Sequence, residues 1–174
     1  ARLSRNKDNR YYYWRLFGDA YLNVNPLKGL NFKTTFGIDY SQKMQRIFTY
    51  PVTEGTVATT TNAVEAKQEH WLKWMWNALA TYNMEIGQHR ADFLLGTEIN
   101  RETDTWFSGK AYDFAVLNPD YMWPNAAVGE AEAYGGGGGF TLVSFFGKAN
   151  YNFADRYLAS VTVRYDGSSR FGRN

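Results

Sequence analysis

The chain has 174 residues, with 19 Lys and Arg against 17 Asp and Glu, for a formal net charge of +2. With so even a balance and no basic run to track a phosphate backbone, nucleic acid is not an expected partner, and the absence of cysteine excludes disulfides and thiolate metal sites. Aromatic residues are unusually abundant (13 Tyr, 12 Phe, 6 Trp), yet the mean hydropathy is only −0.50. A membrane β-barrel wall reconciles the two, because lipid-facing and lumen-facing residues alternate along each strand and aromatic girdles mark both interfaces. A soluble β-sandwich or lipocalin-like barrel also alternates, so composition leaves both open.

The longest uncharged run, Ala133 to Gly147, has 15 residues including six glycines, short of the ~18 apolar residues that signal a membrane helix. The opening residues, Ala1 to Asp8, lack the apolar centre of a signal peptide.

Tyr11 to Val24 alternates, with Tyr12, Trp14, Leu16, Ala20, Leu22 and Val24 on one face and Arg15, Asp19 and Asn23 on the other. A period of two with one apolar face is a strand pattern. Asn25-Pro26-Leu27-Lys28-Gly29 supplies a tight turn, and Leu30 to Ser41 answers with Phe32, Phe36, Ile38 and Tyr40 against Asn31, Lys33, Thr35 and Asp39. Residues 43–68 lose the alternation and read as a long polar loop.

Residues 67–86 are ambiguous. Trp71, Trp74, Met75, Ala78, Leu79, Tyr82 and Ile86 fit a helical stripe, whereas Trp74, Trp76, Ala78, Ala80, Tyr82, Met84 and Ile86 alternate with polar residues. The following turn, Gly87 to Arg90, and the alternating run from Ala91 to Ile99 favour a hairpin. Residues 105–139 read as a second long loop, with the glycine run Gly135 to Gly139 as flexible chain.

From Phe140 the alternation returns. Val143, Phe145, Ala149, Tyr151 and Phe153 oppose Ser144, Lys148, Asn150 and Asn152. After the break Ala154-Asp155-Arg156-Tyr157, residues Tyr157, Ala159, Val161, Val163 and Tyr165 oppose Ser160, Thr162, Arg164 and Asp166. The expected fold is therefore all-β: an antiparallel meander of about six long strands in three hairpins (strands near 11–24, 30–42, 69–86, 91–104, 140–153 and 157–166). Short turns at one end and long loops at the other are the asymmetry of outer-membrane barrels.

The 25 residues from Lys148 to Gly172 resemble the barrel motif of SusC/RagA-like, TonB-dependent outer-membrane transporters of the Bacteroidota. In that family an Asp-[Lys/Arg]-Tyr turn leads into a strand ending Arg-x-Asp-Gly-Ser-Ser-Arg-Phe-Gly, matched here by Asp155-Arg156-Tyr157 and by Arg164 to Gly172. Weaker echoes lie in Tyr21 to Gly37 and Trp74 to Gly96.

The resemblance implies a segment of a large transmembrane β-barrel, located in the bacterial outer membrane and lying in the lipid bilayer. It also implies import of oligosaccharide or peptide cargo, energy delivered through TonB, and a SusD-like surface lipoprotein as lid. Such barrels have about 22 strands, so six strands amount to about a quarter of the wall. An open sheet edge is not tolerated in lipid, so the chain is expected to be cut from a longer polypeptide, with the plug and TonB-contacting motif outside it. A non-transporting receptor or adhesin barrel and a soluble β-barrel binding module are the alternatives.

No enzyme is expected, and no cofactor or metal. The glycine run is followed by a strand rather than the helix that a phosphate loop needs. His70 and His89 show no ligand spacing. Glu98, Glu102 and Asp104 share one strand face, as charges lining a barrel interior do. Trp106, Phe107, Tyr112, Tyr121 and Trp123 are candidates for stacking on cargo or packing against a partner, since aromatic rings give large contact area at low entropy cost. Asp166, Gly167, Ser168, Ser169, Arg170, Phe171 and Gly172 read as a structural motif that ends a strand and pins its loop.

Overall fold

A computed structural model describes residues 7–170. Its strands are β1 (Lys7–Leu27), β2 (Leu30–Thr49), β3 (Val52–Glu54), β4 (Val57–Thr59), β5 (Ala63–Ile86), β6 (His89–Tyr112), β7 (Ala131–Phe153) and β8 (Tyr157–Ser168). The six long strands form one sheet in the order β1-β2-β5-β6-β7-β8, while β3 and β4 make a separate two-stranded hairpin. The expected meander of three hairpins is present.

The ambiguous run from Lys67 is strand throughout, within β5. Its neighbours β2 and β6 hydrogen-bond to it from both sides, a pairing that a helix at this place could not use.

Two expectations are corrected. The loop expected over 43–68 shrinks to residues 50–62, because β2 runs on to Thr49 and β5 starts at Ala63; it also contains the β3–β4 hairpin. The loop expected over 105–139 shrinks to residues 113–130, and Gly135 to Gly139 lie inside β7 rather than in flexible chain. The cause is the same in both. Where apolar residues fall on both faces, as Trp106 and Phe107 do, or are sparse, or side chains are lacking, as at Gly135 to Gly139, backbone pairing continues but the alternation that reveals it disappears.

Long strands need tight reversals. Gly29 joins β1 to β2 with φ of +82°, a left-handed conformation that glycine adopts without a Cβ penalty, and its carbonyl accepts the Asn83 N–H at 2.8 Å. At the last hairpin a three-residue loop joins Phe153 to its partner Tyr157; Ala154 and Asp155 are left-handed, φ +54° and +55°, the central pair of a primed turn closed by the Arg156 N–H on the Phe153 carbonyl at 3.0 Å. Asn152 and Asp155 lock that turn by reciprocal bonds of 2.8 and 3.0 Å, and Arg90 reaches Asp155 at 2.8 Å.

The chain divides into two compact units. The unit of residues 16–39, 72–103 and 139–170 is a sheet with sharply different faces. Phe32, Ala78, Phe93, Leu95, Phe145 and Val161 line a trough on one face, and several are widely exposed, Leu95 by 67% and Val161 by 58%. In β7 and β8 the pairs Phe145–Tyr165, Gly147–Val163, Ala149–Val161 and Phe153–Tyr157 continue that apolar row. The opposite face carries charged and hydroxyl groups, with Phe146 beneath the Arg164 guanidinium. Ser160 donates to Asn150 at 2.8 Å, and Arg164 binds both Asp166 carboxylate oxygens at 2.9 Å and Ser144 at 3.1 Å. At the tight-turn end of the apolar face His89 bonds the Tyr151 hydroxyl (2.6 Å) and lies 4.8 Å from the Phe153 ring, with Tyr157 stacked on Phe153.

The unit of residues 7–15, 40–71 and 104–138 holds the buried core of the described residues. Phe48, Val64 and Ala111 project from one face of β2, β5 and β6 and are covered by Phe114 and Met122 of the 113–130 loop. Phe48, Val64 and Met122 are fully buried. Strand alternation places Trp14, Tyr40 and His70 on the same side. Trp14 and Tyr40 are 5.1 Å apart, and the Tyr40 hydroxyl bonds His70 Nδ1 at 2.8 Å.

Candidate functional site

The 113–130 loop leaves β6 at Asp113, which has φ of +60°. The Asn62 side chain receives it: its Oδ1 accepts the Phe114 N–H (2.6 Å), its Nδ2 donates to the Phe114 carbonyl (3.4 Å), and its own carbonyl accepts the Asp113 N–H (3.1 Å). The return is closed by Val128 N–H to Asp113 O (2.9 Å) and Gly129 N–H to Tyr112 O (3.1 Å). With both ends clamped, the middle is drawn onto the sheet by Met122 and Phe114.

Arg46 completes the docking. Its guanidinium donates to the Pro119 carbonyl (3.1 Å) and lies 4.2 Å from the Trp123 ring centroid and 5.2 Å from Phe48. Stacking an Arg over aromatic rings is attractive through the ring quadrupole, and more so where water is partly excluded. Beneath the loop runs a groove of about 750 Å³, lined by Tyr12, Met44, Arg46, Phe107, Trp123 and Ala133 among others.

The other face of the same unit has a different chemistry. Lys67 bonds Glu69 at 2.8 Å and Lys43 approaches it at 3.7 Å. The hydrogen bond from Lys67 holds the Glu69 carboxyl below its ordinary range against the opposing effect of burial, and the two ammonium charges add to this. Ser108 donates to Glu65 at 3.0 Å. Lys110 lies 4.9 Å from the Tyr112 ring, and its pKa is raised by a bond to Tyr112, with Glu132 and Glu65 adding to it. The Tyr134 hydroxyl donates to Glu132 at 2.7 Å.

Trp106 sits amid these charges. Lys67 is 5.3 Å from its centroid, and its Nε1 is 3.1 Å from where a Cβ on Gly136 would stand. The glycine there lets the indole lie against the β7 backbone, the close approach that a glycine inside a strand often marks.

The five aromatic candidates therefore separate. Trp106 and Tyr112 lie on the charged face. Phe107 and Trp123 line the groove on the opposite face, while Tyr121 stands 67% exposed on the docked loop. Sequence reasoning missed Arg46, Asn62, Phe48 and Met122, which build the loop's seat; no local pattern marks them, since their partners lie dozens of residues away. Glu98, Glu102 and Asp104 fall on one face of β6 by strand alternation, and Glu98 accepts a bond from Asn100 at 2.7 Å.

In the tail motif, Asp166, Gly167 and Ser168 belong to β8 and pair with Ser144, Val143 and Leu142. Ser169 is bonded twice to Thr141, its Oγ accepting the Thr141 N–H (2.9 Å) and its N–H donating to the Thr141 carbonyl (3.0 Å). Arg170 lies 4.1 Å from the Phe140 ring centroid. Phe171 and Gly172 lie outside the described residues.

No family model matches the chain. It is similar to TonB-dependent receptor P3 of Formosa agariphila, 29% identical over 166 residues, covering 85% of this chain and 15% of that protein. It is also similar to TonB-dependent receptor SusC of Bacteroides thetaiotaomicron, 28% identical over 149 residues, covering 85% of this chain and 14% of that protein. The chain thus spans about a seventh of the length of these relatives. In fold it matches the structure of the RagAB peptide transporter with a TM-score of 0.86 at 18% identity, over 97% of this chain and 19% of that one. Sequence and fold agree: over most of its length the chain is similar in sequence to TonB-dependent receptors, and it has the fold of a stretch of the RagAB transporter.

Proposed function

We propose that this chain forms part of the wall of an outer-membrane importer that takes up oligosaccharides or peptides with energy from TonB, working with a SusD-like surface lipoprotein. The observation that carries the reading is the two-faced sheet of residues 16–39, 72–103 and 139–170. Its apolar face is exposed along the strands with aromatic groups at the tight-turn end, and its other face carries charged and hydroxyl groups. A soluble protein rarely leaves so large an apolar surface uncovered, whereas lipid covers it without cost and the polar face lines a watery interior. On β6 the apolar row Ala91, Phe93, Leu95, Thr97 and Ile99 spans nine residues, the length at which a tilted barrel strand crosses a bilayer, about 9–11 residues.

In this reading Trp106 and Tyr112, set among Lys67, Lys110 and Glu132, face the cargo path. Tyr121, Trp123 and Phe107 are left for a partner. The tail from Asp166 to Arg170 is structural, holding β8 to β7.

The test is the intact mass of the native polypeptide extracted from its source membrane. A mass several times 20.0 kDa, with a second lipoprotein copurifying, is the expected result. A mass near 20.0 kDa overturns the importer reading, since six strands fall short of the eight or so of the smallest closed barrels.

A further inference from the structure

We infer that Arg101 is a binding site for the phosphate of an outer-leaflet lipid, set on the lipid side of the wall; the inference rests on the importer reading above. In the unit of residues 16–39, 72–103 and 139–170, strand alternation assigns each strand residue to one face or the other. Among the described strand residues on the apolar face, Arg101 carries the only formal charge. It comes directly after the row Ala91, Phe93, Leu95, Thr97 and Ile99 of β6. Its side chain is exposed and makes no hydrogen bond, ion pair or ring contact with another described residue.

Because β6 lies between β5 and β7, both flanks of this arginine are known. Leu79 against Gly96, and the Thr103 hydroxyl on the Leu72 carbonyl, fix the register with β5. Stepping along it puts Trp74 beside Arg101, and Trp74 stacks on Phe36 at 6.3 Å. Gly139 against Thr103 and Gly147 against Leu95 fix the register with β7, which puts Thr141 on the other side. Neither flank supplies a carboxylate.

Depth says what answers the charge. Twelve steps of ~3.3 Å from His89 to Arg101, tilted by ~40°, span roughly 30 Å of bilayer normal, just beyond the ~25 Å apolar band. The His89, Tyr151 and Phe153 cluster stands at one edge and Arg101 at the other. The 113–130 loop follows β6 at the Arg101 end, and long loops mark the outer side of such barrels. An ionisable group on a lipid-facing row is costly unless its charge is met. From the edge of the band the guanidinium extends on its apolar stem into the layer of lipid phosphates. Its planar fork matches a phosphate with two parallel N–H···O bonds, and the neighbouring Thr141 hydroxyl can donate a third.

The test folds the full-length protein into vesicles and reads the urea-driven folding equilibrium by heat-modifiable gel mobility. Two bilayers are compared: phosphatidylcholine with phosphatidylglycerol, and digalactosyldiacylglycerol, which has no phosphate. In the phospholipid, Arg101→Gln should lower the folding equilibrium constant about three- to tenfold, the worth of one basic residue at a phosphate surface. Arg101→Lys should restore most of that loss. In the galactolipid the wild type and Arg101→Gln should fold alike. If Arg101→Gln folds as well as the wild type in the phospholipid, or loses as much in the galactolipid, the lipid phosphate does not bind Arg101; the inference falls while the importer reading stands. If Val161→Arg costs no more than Ser160→Arg in the same phospholipid, the wall reading falls and takes the inference with it.

Discussion

An arginine at Val161 is the sharpest probe of the wall. The apolar row of β8 is Tyr157, Ala159, Val161, Val163 and Tyr165, with Val161 four residues from the tyrosine at each end. Eight steps of ~3.3 Å along a strand tilted by ~40° span roughly 20 Å of bilayer normal, close to the ~25 Å apolar band of outer-membrane barrels. On the proposed wall reading Val161 sits near mid-bilayer. Across the sheet it faces Ala149, and no carboxylate shares this row to pair with a guanidinium. At that depth an arginine costs about 2–4 kcal/mol, which shifts the folding equilibrium by roughly 30- to 900-fold at 1.36 kcal/mol per tenfold.

Two controls calibrate the effect. Tyr157→Arg lies at the edge of the band and should cost about 0–1 kcal/mol. Ser160→Arg points to the polar face, where it forfeits one exposed hydrogen bond to Asn150, worth ~1 kcal/mol or less, and gains access to Asp92, which lines the same small cleft. The assay is the urea-driven folding equilibrium of the full-length polypeptide in lipid vesicles, followed by heat-modifiable mobility. Val161→Arg should be the outlier. Equal costs for Val161→Arg and Ser160→Arg would refute the assignment of faces.

Arg46→Ala removes the guanidinium between Trp123 and Phe48 and the bond to Pro119. The loop should loosen by about 1–3 kcal/mol, seen as faster amide exchange at Met122 and protease cleavage within 113–130, with the rest of the sheet unchanged. Gly136→Val places a Cβ 3.1 Å from the Trp106 Nε1. The indole must swing off the β7 backbone at an overpacking cost of about 1–3 kcal/mol, and collisional quenching of Trp106 fluorescence should rise. Because the Glu69 carboxyl is held below its ordinary range, its pairing contributes stability above the unfolded carboxylate pKa and loses it as pH falls through the depressed folded value. Glu69→Gln should therefore exchange faster than wild type around β5 at neutral pH, and the difference should close in acid below about pH 4; a gap unchanged down to that pH would show that the pairing with Lys67 and Lys43 is not its source.

Alternation carried the reading of the strands of the two-faced sheet, while the membrane reading needed the resemblance of the Lys148 to Gly172 motif as well. Leu30 to Tyr40, Ala91 to Ile99 and Tyr157 to Tyr165 each set apolar residues against polar ones at a period of two, the period imposed on any strand whose two faces meet different surroundings. The turn at Gly29 was legible for a similarly local reason, since glycine adopts left-handed backbone freely, whereas the break at 154–157 was legible from the lapse in alternation and the match of Asp155-Arg156-Tyr157 to the family's turn. Where both faces meet water or protein the constraint lapses. Residues 43–49, 63–68, 105–112 and 131–139 therefore read as loop, although they are strand.

The candidate site was less legible. Five aromatic residues could be picked out by type, but their division between the charged face and the docked loop follows from which side of β6 each leaves. It follows too from the seat that Phe48, Val64, Arg46 and Asn62 make for a segment more than fifty residues further along the chain. That seat is a matter of packing between distant parts of the chain. Only the tertiary structure, which sets β2 beside β5 and β5 beside β6, brings its members together.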